Sequence, residues 1–215
     1  MNLKKIIYAA TLCVFAAGAA NAQLFVTGNF SMDHSGGETV YTSGATTVTT
    51  DKDSYNTVEF GFEGGYAFSD NFEAGLELAG SFSKQKSAEN KDNWYASNMF
   101  YINPFARYNF VTANSVKFGA KAMGSLGFGK EKTNEADQYK NSEIGIHLIP
   151  VLDYEFNSNW SAFVSFGDLY FTHSNRKSAL SQSQLDDGDT YENKTNHLGV
   201  DLKWRSLTFG VKYTF

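Results

Sequence analysis

The sequence predicts an all-β chain that closes into an up-and-down antiparallel transmembrane β-barrel of eight strands. Three observations predict it. Hydrophobicity alternates with a period of two along most of the chain. Four strands end in the same aromatic triplet. The connections are short at one end of the strands and long at the other. Composition agrees: aromatic residues make up 16% of the chain and there are 19 glycines but 2 prolines, a mixture that suits β-structure with aromatic belts better than a helical fold.

The first 22 residues have the pattern of a cleaved signal peptide. Lys4 and Lys5 give a positive start, residues 6–19 form an apolar or small-residue run, and Ala20-Asn21-Ala22 is an A-x-A cleavage site. The run is shorter than the roughly 20 residues a transmembrane helix needs. The expected mature domain is therefore the barrel at 23–215. Cys13 falls in the segment removed, so the mature chain carries no thiol. Without Lys4 and Lys5 it holds 16 basic against 23 acidic residues. That acidic balance argues against a nucleic-acid partner, which needs a clustered basic surface.

The strands follow in order. An opening strand lies near Leu24 to Met32. Val58, Phe60, Phe62, Gly64, Tyr66 and Phe68 alternate up to the turn Ser69-Asp70-Asn71, and Phe72, Ala74, Leu76, Leu78, Gly80 and Phe82 continue after it. The hairpin recurs twice. Phe100 to Phe110 leads through a turn near 112–115 into Val116 to Phe128, and Ile144 to Phe156 leads through Asn157-Ser158-Asn159 into Trp160 to Phe166. The chain closes with Leu207, Phe209, Val211, Tyr213 and Phe215. Charges within these spans (Glu59, Glu63, Glu73, Glu77, Arg107, Lys117, Lys121, Glu143, Asp153, Glu155, Lys212) fall on the opposite parity from the apolar residues.

Alternation alone does not say which face is wet. A soluble, lipocalin-like barrel would put the apolar face inside. The triplets argue for a membrane. Tyr66 and Phe68, Tyr108 and Phe110, Tyr154 and Phe156, and Tyr213 and Phe215 stand at equal heights, as a girdle at a membrane interface would. Connections after the first three triplets are short. Those at the other end (33–55, 84–95, 130–141, 172–196) are long and polar, like the external loops of outer-membrane barrels. Four descending strands, each preceded by an ascending one, make eight. Closure is required because an open edge in lipid leaves backbone groups without partners.

Three places strain the pattern. Leu198, Val200, Leu202 and Trp204 alternate, but their parity flips at Arg205-Ser206. One long strand with a β-bulge is expected there, against a tight turn that would add a hairpin. Asp168 falls on the apolar parity, which places it above the membrane. Pro104 and Pro150 interrupt what should be central strands.

With the A-x-A signal, the strand residues Pro104-Phe105-Ala106-Arg107-Tyr108 and the ending Gly210-Val211-Lys212-Tyr213-Thr214-Phe215, the chain resembles the OmpA/OmpX-like outer-membrane β-barrel family. The resemblance implies location in the bacterial outer membrane and contact with its lipid. It also implies a terminal aromatic, Phe215, read by the barrel-assembly machinery. The implied function is a structural or surface-interaction role through the external loops. A narrow channel for small solutes or ions is the alternative, and a lipid-A-modifying enzyme comes third. Any extracellular ligand would meet segments 33–55 and 172–196.

A barrel of eight strands is filled by its own side chains. Glu63, Glu77, Arg107, Lys121, Asp153 and Lys212 are the expected interior charge network, structural because buried charges need partners; a gated ion path is the sharper reading of the same residues. His34, His173 and His197 border loops, and His147 faces inward. The sequence places no base visibly within reach of a hydroxyl, so no catalytic residue is expected and the chain is read as a non-enzyme. Asp51 and Asp53, and Asp186, Asp187 and Asp189, lack the spacing of a calcium loop. No metal or cofactor site is expected.

Overall fold

A computed structural model describes residues 23–43, 46–88, 92–134, 136–178, 192–202 and 207–215, with the backbone alone at 39, 41–43, 46–48, 51 and 136–138. The expected signal peptide and Asp186, Asp187 and Asp189 lie outside the described residues.

The strands are β1 (Gln23–Ser43), β2 (Thr46–Ser69), β3 (Phe72–Lys86), β4 (Trp94–Ala113), β5 (Val116–Thr133), β6 (Ala136–Glu155), β7 (Trp160–Ser165), β8 (Asp168–Ser178), β9 (Glu192–Asp201) and β10 (Thr208–Thr214). Neighbours pair antiparallel from β1 through β6. Both β7 and β8 pair with β6, β10 pairs with β7, and β9 pairs with β8. Pairing of β10 with β1, from Phe25↔Thr214 to Phe30↔Phe209, closes the ring. β7 and β8 are thus two halves of one wall strand and β9 and β10 of another, so ten segments build eight strands. Above Phe30 no ladder joins β1 to β9 among the described residues.

Exposure decides which face is which. Phe62 is 66% exposed and Ile146 68%, while Glu63 is 3% and Arg107 0%. The apolar parity therefore faces outward and the ionised parity lines the lumen, which rules out the soluble, inside-out alternative.

Short turns join the strands at the foot. Asn114, with φ 53°, sits in the two-residue turn between β4 and β5, a left-handed position that asparagine tolerates. The Asn157 carboxamide oxygen accepts from the backbone N–H of Asn159 and Trp160, both at 2.9 Å, an Asx turn that holds the next tight corner.

The opposite end corrects an expectation. Residues 33–55 are not a loop: β1 and β2 stay paired from Asp33↔Thr57 to Ser43↔Thr46, with one irregularity between Ser35 and Gly37. Likewise β5 and β6 pair up to Thr133↔Ala136. The first of these segments is polar but rich in Thr, Val and Tyr, and β-branched and aromatic residues suit a solvated strand as well as a lipid-facing one. Polarity marked where the strands leave lipid, not where they end.

The parity problem at Asp168 has a local origin. In β6, Ile149 and Pro150 lie between the pairs Leu148↔Leu169 and Val151↔Ser165. They face three residues, Phe166, Gly167 and Asp168. That extra residue is a β-bulge, and Gly167 adopts φ +73° there. Outward positions switch from Ala162, Val164 and Phe166 to Leu169 and Phe171, so Asp168 turns inward instead of standing on the lipid face. Beside it, β10 pairs with β7 up to Thr208↔Ser165 and β9 pairs with β8 down to Asp201↔Asp168. β9 and β10 run in the same direction, and the described residues hold no added hairpin; the bulge expected at Arg205-Ser206 lies outside the described residues. Both prolines fall where a ladder lapses: Pro150 beside the bulge at Gly167, and Pro104 where the β4–β5 pairing skips from Ile102↔Leu126 to Phe105↔Met123.

Candidate functional site

The lumen is blocked across its lower half. Arg107, on β4, is wholly buried. Its Nη2 lies 3.4 Å from Glu63 Oε2, and its Nη1 lies 3.5 Å from both Glu73 Oε2 and Asp153 Oδ1. Lys121 Nζ donates to Glu63 Oε1 and Glu77 Oε2, each at 2.5 Å. Lys212 Nζ donates to Glu73 Oε1 at 2.5 Å. All six residues expected in the interior network meet here. Glu73 was missed although it has the inward parity: it follows the β2–β3 turn almost directly, and only the assembled barrel brings it under Arg107 and Lys212.

Three interior rings were missed as well. Phe25, Phe105 and Phe163 occupy the charged parity and are buried. Arg107 lies 5.0 Å from the Phe163 ring centre, Lys121 4.6 Å from Phe105 and Lys212 5.6 Å from Phe25. Each cation thus has carboxylates on one side and a π-face on another, an arrangement worth about 0.5–2 kcal/mol per ring in a desolvated site. Their odd numbering was the available signal.

Cavities lie on both sides of this plug. The lower one, about 550 Å³, opens among the feet near Asp70, Thr112, Lys117 and Trp160. The upper one, about 300 Å³, has Glu63, Glu77, Arg107 and Lys121 as its floor and reaches Ser31 and Glu59 at its lip. There Glu59 accepts from Ser31 at 3.1 Å and Ser81 at 3.0 Å.

The wall of the upper cavity holds a grouping that sequence spacing hid. Ser125 Oγ lies 3.1 Å from His147 Nε2, and His147 Nδ1 lies 2.6 Å from Asp168 Oδ2. The three come from β5, β6 and β8. Asp168 reaches His147 only because of the bulge at Gly167. Gly145 makes room: a Cβ there would lie 2.6 Å from Ser125 Oγ and 3.0 Å from His147 Nε2. The Tyr170 ring stacks on the imidazole at 6.2 Å.

The residues expected to form a girdle lie at the foot and point outward. Tyr154 meets Phe156 at 5.3 Å, Tyr213 meets Phe215 at 4.8 Å, Tyr66 meets Phe68 at 6.5 Å and Phe110 meets Phe118 at 5.0 Å. Tyr108 is 55% exposed. On the external side, Asp53 accepts from the Ala88 N–H at 2.8 Å and Gln85 Nε2 at 3.0 Å. These bonds hold its carboxyl below the usual carboxylate range. Glu192 is lowered likewise, first by Asn175 and then by Lys194. His34 pairs with Asn56 and His173 with Asn196. Among the described residues no group of three His, Cys, Asp or Glu is placed to share a metal ion.

The chain matches the family described as outer membrane protein beta-barrel domain over residues 7–215. No curated protein matches it. Similar solved structures include neisserial surface protein A, at 16% identity and TM-score 0.40 over 91% of this chain and 99% of that one. A major outer membrane protein from Thermus thermophilus gives 12% and 0.47 over 90% and 99%. OprG from Pseudomonas aeruginosa gives 15% and 0.40 over 90% and 96%.

Proposed function

Because this chain belongs to the outer membrane protein beta-barrel domain family, and so to the bacterial outer membrane, we propose that it serves there as a closed structural wall that presents paired external hairpins to the surroundings. The observation that carries this reading is the plug. Arg107 is fully buried among Glu63, Glu73 and Asp153, which leaves the upper and lower cavities separated by side chains in mutual contact. A structural barrel needs such a filling, whereas a resting pore does not.

The aromatic feet serve as the inner girdle, where amphipathic rings are most stable at the lipid boundary. Phe215 serves as the terminal aromatic read during assembly. Extracellular contact runs through the extended β1–β2 hairpin and the β8–β9 region. A narrow channel is the second reading, favoured by the cavities on either side of the plug.

Two measurements test the proposal. Refolded full-length barrel in planar bilayers should give no discrete conductance steps, and steady steps from the unaltered protein would replace the wall reading with the channel. Cells displaying a barrel with residues 39–51 replaced by a short glycine linker should keep normal insertion and heat resistance. They should lose retention on mucin- or serum-coated surfaces. Equal retention by trimmed and whole barrels would remove the surface-interaction role.

A further inference from the structure

The upper cavity carries chemistry that a structural wall does not require, and that the expectation of a non-enzyme did not include. We propose that Ser125, His147 and Asp168 form a nucleophilic triad at the outer mouth of the barrel that hydrolyses short, neutral or cationic carboxylic esters.

Geometry carries the assignment. His147 Nδ1–H donates to Asp168 Oδ2 at 2.6 Å, which fixes the tautomer and leaves Nε2 to accept from Ser125 Oγ–H at 3.1 Å. A nucleophile on a base that is oriented by a carboxylate is recognised by these roles, not by chain order. The bulge that turns Asp168 inward and the glycine that clears space at 145 both serve this contact. An ordinary serine-lined lumen would need neither.

Position makes the site reachable. Ser125 is nine residues above Val116, where β5 begins. At about 3.3 Å per residue and a tilt of about 35–45°, that is roughly 21–24 Å above the foot. An apolar band is about 25 Å tall, so the triad sits near the external interface, below the lip formed by Glu59.

The lining sets the substrate class. Met123 and Ile149 offer an apolar surface for a short acyl chain within the 300 Å³ cavity. Glu59 and Glu143 line the same space, while its cations Arg107 and Lys121 are already held by carboxylates. A substrate that carries a negative charge is thereby disfavoured. Asn103 faces Ser125 across the β4–β5 pair, by the register on either side of the skip. Its Nδ2 lies 3.5 Å from Glu77 Oε1, and the second N–H of the amide is the donor assigned to a developing oxyanion.

The reaction balances without a cofactor. Ser125 Oγ attacks the ester carbonyl carbon as its proton passes to His147 Nε2. Collapse of the tetrahedral adduct breaks the ester C–O bond, and the leaving alkoxide takes that proton. Water then attacks the acyl-serine, gives its proton to His147 and releases the carboxylic acid. The proton returns to Ser125 Oγ.

The test uses the refolded full-length barrel in phospholipid vesicles, with native folding scored by heat-modifiable migration. An alkyl fluorophosphonate should label the unaltered protein, and peptide mass spectrometry should place the label on Ser125. The same sample should hydrolyse p-nitrophenyl butyrate and butyrylcholine, and turn over an anionic succinate half-ester more slowly. Ser125→Ala should abolish labelling. His147→Gln and Asp168→Asn should slow labelling by about 10²–10⁴-fold. Absence of label on folded unaltered protein, label at another residue, label without ester turnover, or label indifferent to a folded His147→Gln would each overturn the proposal. Since the unaltered protein alone can give the first three results, variants that fail to fold do not shield it. Conductance plays no part in this readout, so its failure is distinguishable from failure of the wall reading.

Discussion

Replacing Arg107 with alanine tests the plug at its centre. The guanidinium contacts Glu63 at 3.4 Å and Glu73 and Asp153 at 3.5 Å, and it lies over Phe163. The four acids of the plug (Glu63, Glu73, Glu77, Asp153) then have, among the described residues, only Lys121 and Lys212 as ion-pair partners within the plug. Asp153 loses the only cation to which it is ion-paired among the described residues. Removing one partner from a buried ion network costs about 3–5 kcal/mol, because the remaining charge is buried without compensation. With a urea slope of about 2 kcal/mol per molar, the unfolding midpoint should fall by about 1.5–2.5 M. Tryptophan fluorescence of the barrel refolded in vesicles reads this directly. Arg107→Lys should lie between the two, since an ammonium is a point donor and cannot fork toward three carboxylates. Conductance in bilayers should stay unchanged, because Lys121, Lys212 and the rings of Phe25, Phe105 and Phe163 still occupy the section. An unaltered midpoint accompanied by a large new conductance would refute the reasoning and make Arg107 a gate.

Glu73→Gln should lower stability by about 1–3 kcal/mol, because Lys212 loses its charged acceptor and Arg107 one of three; the same urea titration measures it. Gly145→Ala should drive Ser125 and His147 apart, since the added methyl has no space beside Thr172. A loss of about 1–3 kcal/mol is expected from overpacking, together with loss of fluorophosphonate labelling. Asp53 supplies a pH test on the external side. Its folded carboxyl titrates below the ordinary value of 3.8, so its tie to Ala88 and Gln85 is fully present above that value and is lost as pH falls through the folded one. Pepsin should therefore cleave the β3–β4 connection increasingly as pH drops below about 4, and Asp53→Ala should be cleaved already at higher pH.

The architecture was legible in the residues because a barrel in lipid imposes a strict local rule. Each strand must show apolar side chains outward and polar ones inward with a period of two, and every such strand states its own orientation. Phe62 beside Glu63, and the four aromatic triplets, therefore disclosed the wall, its feet and the network of Glu63, Glu77, Arg107, Lys121, Asp153 and Lys212 before any contact was known. The proline positions marked the irregular zones without explaining them. The polar hairpin ends went unread because loss of lipid removes the apolar pattern while leaving the backbone ladder intact.

What only the tertiary structure decided are the relations between strands. Register alone brings Glu73 beneath Lys212, 139 positions later in the chain. A single added residue at Gly167 reverses the facing of Asp168, and no local pattern announces on which side of a bulge a side chain emerges. Ser125 and His147 look unremarkable within their own strands, and Asp168 shows only as a charge on the apolar parity. They become a hydrogen-bonded set because ring closure fixes three strands at heights that summed staggers determine, and that sum is a property of the whole barrel rather than of any segment.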